Sequence, residues 1–327
     1  MVALALGVAD PLTCARVCPI RSASAELAPA DASAGEFSLV LLPDTQFYAL
    51  RHPHTFVAQT RWIVENLDRL AIRAVIHLGD ITHRNTKGEW RAADRALELL
   101  DGEVPYTVLP GNHDGRARGR IATELFNRTF PPSRYEDRPW YGGHMGETND
   151  NCFIFFEARG MEFLVVSLAY GTTREALAWA DRVVSDHPHR RVIVATHAYM
   201  NHDRTRLVRG ERAAVRGKTW TDGDEIWDTV IKRHPNIFLV VSGHIHGGGY
   251  ATARGDHGNL VHQVLSDFQR LPGGGSGYLS ILTFAPAEDL IRVRTYSPTL
   301  DRALTAADYS FELPYRMLGA GRERTID

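Results

Sequence analysis

The sequence predicts a layered α/β domain whose sheet is extended by an antiparallel part towards the C-terminal end. Short runs rich in Val, Ile and Leu alternate with amphipathic stretches from Phe37 onward, and strands and turns dominate after Ser242. Strands buried on both faces form near-continuous apolar runs, whereas a helix that covers a sheet shows one apolar face. The alternation therefore indicates a sheet covered by helices, and the later strands indicate its antiparallel extension.

The predicted strands are short apolar runs bounded by turn residues. Those of the alternating part are residues 37–42, 74–78, 104–109, 162–168, 191–196 and 237–242. Those of the C-terminal part are residues 260–267, 278–284 and 290–296, which are separated by Gly- and Pro-rich loops.

The predicted helices lie between these strands. Residues 55–70 place Phe56, Ile63 and Leu67 on one face, and residues 89–100 follow the second strand. Thr172 and Glu175 have the spacing of a capping box ahead of a helix that reaches about residue 185. A further helix covers residues 222–234 and ends before Pro235, since proline cannot continue a helix.

Composition excludes several classes of protein. The 327 residues are 44% hydrophobic, 9% aromatic and 23% charged, which excludes disorder, collagen-like repeats and coiled coils as the main architecture. Lys plus Arg number 37 against 39 for Asp plus Glu, so we expect no dedicated nucleic-acid binding. Cys14, Cys18 and Cys152 form no C-x-x-C pair, so any metal must be held by His, Asp, Asn or Gln.

The chain is expected to contain a leader (1–35), a domain (36–313) and a C-terminal tail (314–327). The leader is rich in Ala, Ser and Pro and carries a short apolar run, so it is either a secretory signal or a disordered segment. We expect export to the periplasm or outside the cell, with a cytoplasmic location as the alternative. No apolar run approaches the roughly 20 residues that cross a bilayer.

Polar side chains that can bind metal ions follow five of the predicted strands. They are Asp44 and Gln46, Asp80, Asn112 with His113 and Asp114, His197, and His244 with His246. In open α/β sheets, ligands bind beyond the carboxyl ends of the strands. Each motif alone is weak: Gly79-Asp80 is more often an ordinary turn, and a histidine such as His197 is more often a hydrogen-bonded core residue. All five in order after strands indicate one metal site at a common rim.

These motifs resemble those of the calcineurin-like metallophosphoesterase superfamily: D-x-H, G-D, G-N-H-[DE], H and G-H-x-H. The resemblance extends from about residue 37 to 298. The segments Leu42-Pro43-Asp44-Thr45-Gln46, Trp140-Tyr141-Gly142-Gly143 and Thr295-Tyr296-Ser297-Pro298 are similar to a bacterial branch with many exported members. The resemblance implies a four-layer α-β-β-α sandwich of two mixed sheets flanked by helices.

The resemblance also implies two divalent metal sites that share Asp80. One would contain Asp44, Gln46 and His246, and the other Asn112, His197 and His244. Two such ions clamp a phosphoryl group and lower the pKa of a bridging water, producing a hydroxide nucleophile. His113 would face the substrate and protonate the leaving group.

Gln46 departs from the family pattern, because the first motif usually ends in His. A glutamine coordinates through its carbonyl oxygen, which is a harder and weaker donor than imidazole. Manganese-dependent ADP-ribose/CDP-alcohol diphosphatases of the same superfamily carry D-x-Q at this position. We therefore expect Mn²⁺ to be favoured, with Fe, Zn²⁺ and Mg²⁺ as the other candidates.

Further residues are candidates for catalysis or substrate binding. Asp114 either orients the ring of His113 or caps the following segment. The segment from Asp203 to Lys218 contains six basic and two acidic residues; through Arg206 it either receives an anionic substrate or is a solvated loop. Tyr141 belongs either to a lid over the substrate or to a packed surface loop. His83 and Asn85 follow Asp80 and either reach the phosphate or, as is more common, start the next helix.

The sequence thus predicts a hydrolase of small phosphorylated substrates that cleaves phosphate monoesters or diesters. The first alternative is a hydrolase of nucleoside diphosphate linkages, suggested by Gln46. The second is a catalytically silent, metal-dependent phosphate-binding protein, which the otherwise intact motifs disfavour. The oligomeric state is left open.

Overall fold

Two β-sheets lie face to face and carry helices on their outer surfaces. The computed structural model describes residues 22–23, 27–31, 33–117, 120–214, 217 and 219–317. Within them the strands, numbered along the chain, are β1 (Ser22–Ala23), β2 (Phe37–Leu42), β3 (Ile72–His77), β4 (Tyr106–Thr107), β5 (Arg116–Ala117), β6 (Arg120–Ile121), β7 (Tyr141–His144), β8 (Cys152–Ala158), β9 (Met161–Leu168), β10 (Arg191–Thr196), β11 (Ile237–Ser242), β12 (Gly247–Arg254), β13 (Leu260–Asp267), β14 (Leu279–Ala285), β15 (Leu290–Ser297), β16 (Arg302–Leu304) and β17 (Ser310–Pro314).

The helices are mostly short. They are α1 (Gln46–Arg51), α2 (Pro53–Glu65), α3 (Lys87–Leu97), α4 (Glu124–Thr129), α5 (Arg174–Asp186), α6 (Gly223–Thr229) and a single turn, α7 (Pro272–Gly275). In the described part of the chain, three 3₁₀ turns accompany them, at Glu98–Leu100, Pro132–Arg134 and Ile231–Arg233.

Both large sheets are mixed. The first has the order β1-β16-β15-β14-β2-β3-β4, with β17 paired to β15, and its parallel part is β2-β3-β4. The second has the order β12-β13-β11-β10-β9-β8-β7, and its parallel part is β13-β11-β10-β9. The predicted sandwich of two mixed sheets with flanking helices is confirmed.

Side chains alternate in direction along each strand, so one strand contributes to the core between the sheets and to the core under the outer helices. In β2, Leu39 and Leu41 pack in the cluster between the two sheets, together with Val165 of β9. Val40 and Leu42 belong instead to the cluster under the outer helices. Successive strand side chains point to opposite faces, so a fully apolar strand serves both layers at once.

Each outer helical layer buries its own apolar face. Phe56 and Ile63 of α2 and Trp90 of α3 cover the first sheet. Leu177 of α5 and Trp227 of α6 cover the second sheet. The four layers are therefore helix, sheet, sheet and helix.

Several predicted elements agree with the structure to the residue, and others shift for identifiable reasons. Strands 37–42, 191–196, 237–242 and 260–267 have the expected bounds, whereas the strand expected at 104–109 is restricted to Tyr106–Thr107. The helix expected from residue 89 begins at Lys87, because Thr86 and Glu89 form its capping box.

The other helix predictions are corrected at their ends. The helix expected over 55–70 ends at Glu65, and Thr173 rather than Thr172 caps α5 by accepting the N–H of Ala176. The helix expected over 222–234 has Asp222 as its N-cap and ends at Thr229, before a 3₁₀ turn.

Both described ends of the chain contact the domain. Near the start, β1 pairs with β16, and the backbone N–H of Ala30 donates to Arg69. Near the end, Tyr315 stacks on Phe238 with ring centroids 4.1 Å apart, and Met317 is buried. Cys14, Cys18, Arg216, Lys218, most of the predicted leader and residues 318–327 of the predicted tail lie outside the described residues.

No helix within the described ranges combines the length and the apolar character needed to cross a membrane.

Candidate metal centre

The seven predicted metal ligands meet at one rim of the sandwich. Loops after β2, β3 and β4 of the first sheet face loops after β10 and β11 of the second. The loops and helix α1 carry Asp44, Gln46, Asp80, Asn112, His197, His244 and His246. Direct contacts, with Gln269 and Asp267 as intermediates, connect all seven in one network.

Asp80, His197 and His244 form the tightest group of donors. One potential ligand atom from each lies within 4.8 Å of the others. Nε2 of His197 is 3.4 Å from Oδ1 of Asp80, 3.2 Å from Nδ1 of His244 and 3.1 Å from Oδ1 of Asn112. Nδ1 of His197 contacts the Leu78 carbonyl at 2.8 Å, which leaves Nε2 facing this group.

Backbone geometry at the rim allows this close approach. Asp80 and His244 have φ values of 48° and 69°, a left-handed conformation that costs free energy outside glycine and asparagine. At Gly111, an added Cβ would lie 2.2 Å from the backbone nitrogen of Asp80 and from its Oδ1. The loop before Asn112 therefore has no space for a side chain at residue 111.

Asp44 and Gln46 lie beside this group. Oδ1 of Asp44 accepts the backbone N–H of His244 at 3.2 Å, and Nε2 of Gln46 donates to Oδ2 of Asp80 at 3.3 Å. Gln269 donates through Nε2 to Oδ2 of Asp44 at 2.8 Å, and it accepts a hydrogen bond from Nε2 of Gln46. These contacts connect the predicted ligand positions at hydrogen-bond distance.

The site concentrates buried negative charge. Burial raises the pKa of Asp44 well above its usual range, and the charges of Asp267 and Asp80 raise it further. Burial also raises the pKa of Asp80, but His197 and the backbone and side chain of His113 outweigh it, so the pKa falls to about 2. Burial, followed by the charge of His197, lowers the pKa of His244 to about 4. An ionised carboxylate and a neutral imidazole are the forms that bind metal ions.

The residues present fit divalent metal ions. His246 supports this fit, since its buried Nδ1 has no hydrogen-bond partner among the residues that the structure describes and lies 3.2 Å from Oδ2 of the fully buried Asp267. A cation would satisfy both atoms and offset the buried carboxylates. The donors are carboxylate, amide and imidazole groups, which suit Mn²⁺, Fe and Zn²⁺.

His113 borders the same site. Its backbone N–H donates to Oδ1 of Asp80 at 2.7 Å, and its Nδ1 lies 2.8 Å from the carbonyl oxygen of His83. The two imidazole rings stack, with centroids 4.7 Å apart and planes 17° apart. His113 lines the cleft, as the predicted substrate-facing role requires.

The contacts of Asp114 favour a structural role over orientation of the His113 ring. Its carboxylate accepts the backbone N–H groups of Gly111, Ile81 and Thr82 and the hydroxyl of Thr82, at 2.7–2.9 Å. Burial followed by the charge of Asp80 raises its pKa to about 7. Asp114 therefore ties the loop after β3 to the loop after β4, and the His83 carbonyl holds the His113 ring.

The three predicted substrate contacts are directed elsewhere. Oδ1 of Asn85 accepts the indole N–H of Trp90 at 2.7 Å. Arg206 pairs with Asp224 at 2.6 Å and lies over the ring of Trp227, so its charge is compensated. The hydroxyl of Tyr141 donates to Asn149 at 2.8 Å, and its ring stacks on Tyr135. These contacts favour the structural alternatives for Asn85, Arg206 and Tyr141.

Further residues line a cleft over the site. A cleft of about 600 Å³ opens over the site, and its lining includes Tyr170, Arg212, Gln269 and Arg270. Of the basic segment after Asp203, Arg212 reaches the cleft, whereas Arg204 and Arg209 form ion pairs elsewhere.

Sequence reasoning missed Gln269, Asp267 and Arg270 because they follow β13 without a recognised motif. The signal available was their position, since residues 267–270 come directly after a predicted strand. For His83 the sequence favours the start of the next helix. The structure instead places its Nδ1 2.5 Å from Oε1 of Gln46.

Two mixed sheets, helices on both outer faces and metal-competent side chains at one rim together indicate a member of the metallophosphoesterases. A family profile supports the same conclusion over most of the domain. The chain belongs to the calcineurin-like phosphoesterase family, whose profile matches residues 39–248. The resemblance inferred from the motifs is confirmed.

Two curated relatives match parts of the chain. The uncharacterized protein YvnB of Bacillus subtilis is 35% identical over 271 residues, which is 80% of this chain and 20% of that protein. A probable glycerophosphodiester phosphodiesterase, GpdQ of Arcobacter nitrofigilis, is 28% identical over 129 residues, or 38% of this chain and 40% of the relative. The matched regions therefore span a fifth and two fifths of these relatives.

Two solved structures share the fold. A dimetal phosphatase of Danio rerio superposes with a TM-score of 0.52 at 15% identity and covers 85% of this chain and 99% of that one. A purple acid phosphatase from yellow lupin seeds superposes with a TM-score of 0.51 at 13% identity. The match covers 86% of this chain and 54% of that one.

Proposed function

We propose that this protein hydrolyses phosphate monoesters or diesters with two divalent metal ions. Asp80, Asn112, His197 and His244 would hold one ion, and Asp44, Gln46, Asp80 and His246 the other. The observation that carries this proposal is the convergence of all seven side chains at one rim, with Asp80 in contact with both groups. Two bound ions supply Lewis acidity and lower the pKa of water at neutral pH.

The protein's own side chains complete the reaction. Nδ1 of His113 faces the His83 carbonyl, a hydrogen bond that requires a proton on Nδ1. The protonated ring would donate its second proton to the leaving oxygen from Nε2. His83 holds the ring in this orientation by accepting from Nδ1 and by stacking on it.

Arginines extend the site towards the substrate's ester group. Arg212 and Arg270 line the same cleft as Asp80 and His113. Arginine binds phosphate oxygens through paired N–H groups, so these two side chains suit an anionic substrate. The similarity to the probable glycerophosphodiester phosphodiesterase supports a diester substrate.

Hydrolysis of a nucleoside diphosphate linkage is the second candidate. Gln46 favours it, because the diphosphatases that the first motif resembles carry the same residue. Each phosphate group of such a substrate would then have one of the two arginines that line the cleft, Arg212 and Arg270, as a partner. Substrates of this kind are distinguished by a panel of phosphomonoesters, phosphodiesters and nucleoside diphosphate derivatives.

Asp80→Asn tests the shared ligand. The variant keeps the shape of the side chain and removes its charge, so both ions should bind weakly and turnover of an aryl phosphodiester should be lost. Metal content by elemental analysis and kcat are the measurements. Asp228→Asn, which changes an exposed carboxylate paired with Lys232, is the matched control and should behave as wild type. Two tightly bound equivalents and near wild-type turnover in Asp80→Asn would overturn the bridging role.

Mn²⁺ is the metal we propose. The site beside Asp44 has three oxygen donors and one nitrogen, and oxygen donors suit Mn²⁺ better than imidazole does. Chelator-treated enzyme should therefore regain activity with Mn²⁺ in a phase that Zn²⁺ reproduces poorly. Equal recovery with either ion would argue against this preference.

A further inference from the structure

His77 is a buried histidine that lies close to the proposed metal site and outside the family motifs. It is the last residue of β3, is 1% exposed and precedes the Gly79-Asp80 turn. Its side chain contacts Thr45, which is also buried and lies between the two predicted ligands that follow β2. These two side chains therefore connect the loop after β2 with the end of β3.

The hydrogen bonds of His77 have one possible direction. Nδ1 of His77 lies 3.2 Å from the backbone nitrogen of Gly79, whose N–H can only donate. Nδ1 therefore accepts, and the proton of the neutral ring is on Nε2. Burial, followed by the charge of His197, lowers the pKa of His77 to about 3, which agrees with a neutral ring.

Thr45 continues this series of hydrogen bonds. Its Oγ1 lies 2.9 Å from Nε2 of His77 and accepts the N–H of that nitrogen. The hydroxyl then donates to the carbonyl oxygen of Ile81 at 3.3 Å. Thr45 is the N-cap residue of α1, where a threonine usually accepts an N–H of its own helix, yet its side chain makes no capping hydrogen bond. The hydroxyl is therefore committed to the β3 side.

These three hydrogen bonds, which we call the His77 link, begin and end on the two neighbours of Asp80. Gly79 supplies the first N–H and Ile81 the last carbonyl. Asp80 between them has a φ of 48°, a left-handed conformation that costs free energy and persists only where the surroundings hold it. The N–H of Ile81 is held separately by Asp114, at 2.9 Å. The backbone is thus held on both sides of Asp80.

We propose that His77 is a positioning residue for the shared metal ligand: the His77 link holds the backbone on both sides of Asp80 and so keeps its carboxylate between the two groups of donors. That carboxylate contacts His197 of one group and Gln46 of the other. The inference rests on the proposed metal centre. Both ends of the link are backbone groups, so its direction does not depend on the ionisation of any carboxylate.

Metal titration of chelator-treated protein tests the proposal without turnover. His77→Asn keeps an acceptor for the N–H of Gly79 but is too short to reach Thr45, and Thr45→Val removes the hydroxyl at nearly constant volume. Calorimetry with Mn²⁺ should show both equivalents weakened by about 10-fold in each variant, because Asp80 serves both ions. Thr45→Ser restores the hydroxyl and should restore the wild-type affinities. Wild-type affinities in His77→Asn and Thr45→Val would overturn the proposal.

A second buried pair of histidine and threonine supplies the matched controls. Nδ1 of His262 in β13 lies 2.8 Å from Oγ1 of Thr252, and its Nε2 lies 2.8 Å from the Pro314 carbonyl oxygen. Neither His262 nor Thr252 lines the cleft. His262→Asn and Thr252→Val should lower the urea midpoint, as the changes at His77 and Thr45 do, and leave both Mn²⁺ affinities unchanged. Equal losses of affinity in the control pair would show a general effect of destabilisation, and the proposal would be wrong.

The double variant tests whether His77 and Thr45 act together. His77→Asn and Thr45→Val break the same hydrogen bond, so the double variant should bind Mn²⁺ at most about twofold more weakly than the weaker single variant. Losses that multiply would show two independent effects and contradict the link.

The tautomer of His77 gives a spectroscopic readout. In protein labelled with ¹⁵N-histidine, protonated and unprotonated ring nitrogens resonate far apart, and the signals of His77 are identified by their loss in His77→Asn. They should report a proton on Nε2 in chelator-treated and in Zn²⁺-loaded protein alike. A proton on Nδ1 would contradict the direction of the His77 link and overturn the proposal.

These results are distinguishable from failure of the proposed function. Wild-type protein that binds two equivalents of Mn²⁺ and hydrolyses none of the substrate panel would contradict the function and leave the positioning role intact. Full turnover together with wild-type Mn²⁺ affinities in His77→Asn would overturn the positioning role and leave the function intact. Wild-type protein that binds a single equivalent would contradict the shared ligand and, with it, the role of His77.

Discussion

At the scale of single residues, position at a strand end predicts whether a side chain lies at the rim better than residue type alone does. The seven donors predicted from strand ends converge, because parallel strands deliver their carboxyl ends to one rim. Asn85, Arg206 and Tyr141 were proposed from chemistry and proximity in sequence, and each has a partner elsewhere. Side-chain direction within a loop depends on contacts that periodicity does not contain.

His113→Ala should separate proton donation from metal binding. Metal content should stay at the wild-type level, and kcat should fall by about 10²–10⁴-fold for a substrate with a poor leaving group. The loss should be smaller for a nitrophenyl ester, whose leaving group needs no proton. The measurements are steady-state kinetics on both substrates and elemental analysis.

The control for His113→Ala is His189→Ala, since His189 is exposed and lies two residues before the start of β10, at the opposite end of that strand from His197. Equal losses on good and poor leaving groups would argue against the donor role.

Asn85→Ala should reduce stability and spare catalysis. Its loss leaves the indole N–H of the buried Trp90 without its acceptor, which costs about 1–3 kcal/mol of the free energy of unfolding. Urea denaturation measures this loss, and kcat/KM should be unchanged. Asn85→Asp keeps the acceptor and should retain most of the stability. A fall in kcat/KM without destabilisation would restore the substrate-binding role.

At the scale of elements, buried strands and capped helices could be predicted, and irregular or glycine-rich ones could not. β2, β10 and β11 are predominantly apolar and agree with their predicted bounds. β12 begins with three glycines, and α1 is only six residues long, so neither shows a clear hydrophobic period in the sequence. Their formation depends on pairing and packing with distant segments, such as β12 against β13.

Glu89→Ala should show that the start of α3 supports the site. The buried Glu89 carboxylate accepts the backbone N–H groups of His83, Arg84 and Thr86, at 3.0–3.1 Å. Its loss should lower the free energy of unfolding by at least about 2 kcal/mol and loosen the loop whose carbonyl holds His113. Both the urea midpoint and kcat should therefore fall.

Two further variants give the controls for this element. Thr86→Ala removes the capping hydroxyl and should cost about 0.5–2 kcal/mol with a smaller effect on kcat. Glu98→Ala, at an exposed glutamate after the same helix, should match wild type. If Glu89→Ala unfolds more easily but keeps full kcat, α3 does not support the catalytic loop.

At the scale of the whole molecule, the residues alone predicted one sheet with an antiparallel extension, whereas the resemblance implied two. The difference lies in long-range pairing: Leu39 of β2 pairs with Leu282 of β14, far apart in sequence. Hydrophobic periodicity identifies a strand but carries no information about its neighbour. The two-sheet architecture therefore depended on the family motifs.

Metal removal should destabilise the whole domain. An ion that binds only the folded state stabilises it by about 2.7 kcal/mol at 100 times its Kd. Chelator-treated protein should consequently unfold at a lower temperature than Mn²⁺-loaded protein in calorimetric scans at one fixed pH. Asp80→Asn should remove most of the difference between the two preparations. Identical melting temperatures with and without Mn²⁺ in wild type would be inconsistent with a tightly bound ion.

The division of the donors between the two sheets has a consequence for folding kinetics. Asp44, Asp80 and Asn112 follow strands of the first sheet, and His197, His244 and His246 follow strands of the second. Neither half offers a complete coordination sphere, so tight binding requires that the sheets have already docked. An ion added during refolding should then leave the folding rate almost unchanged and slow unfolding instead, since its contacts form after the transition state. The metal would therefore slow the unfolding of the assembled domain and would not accelerate its folding.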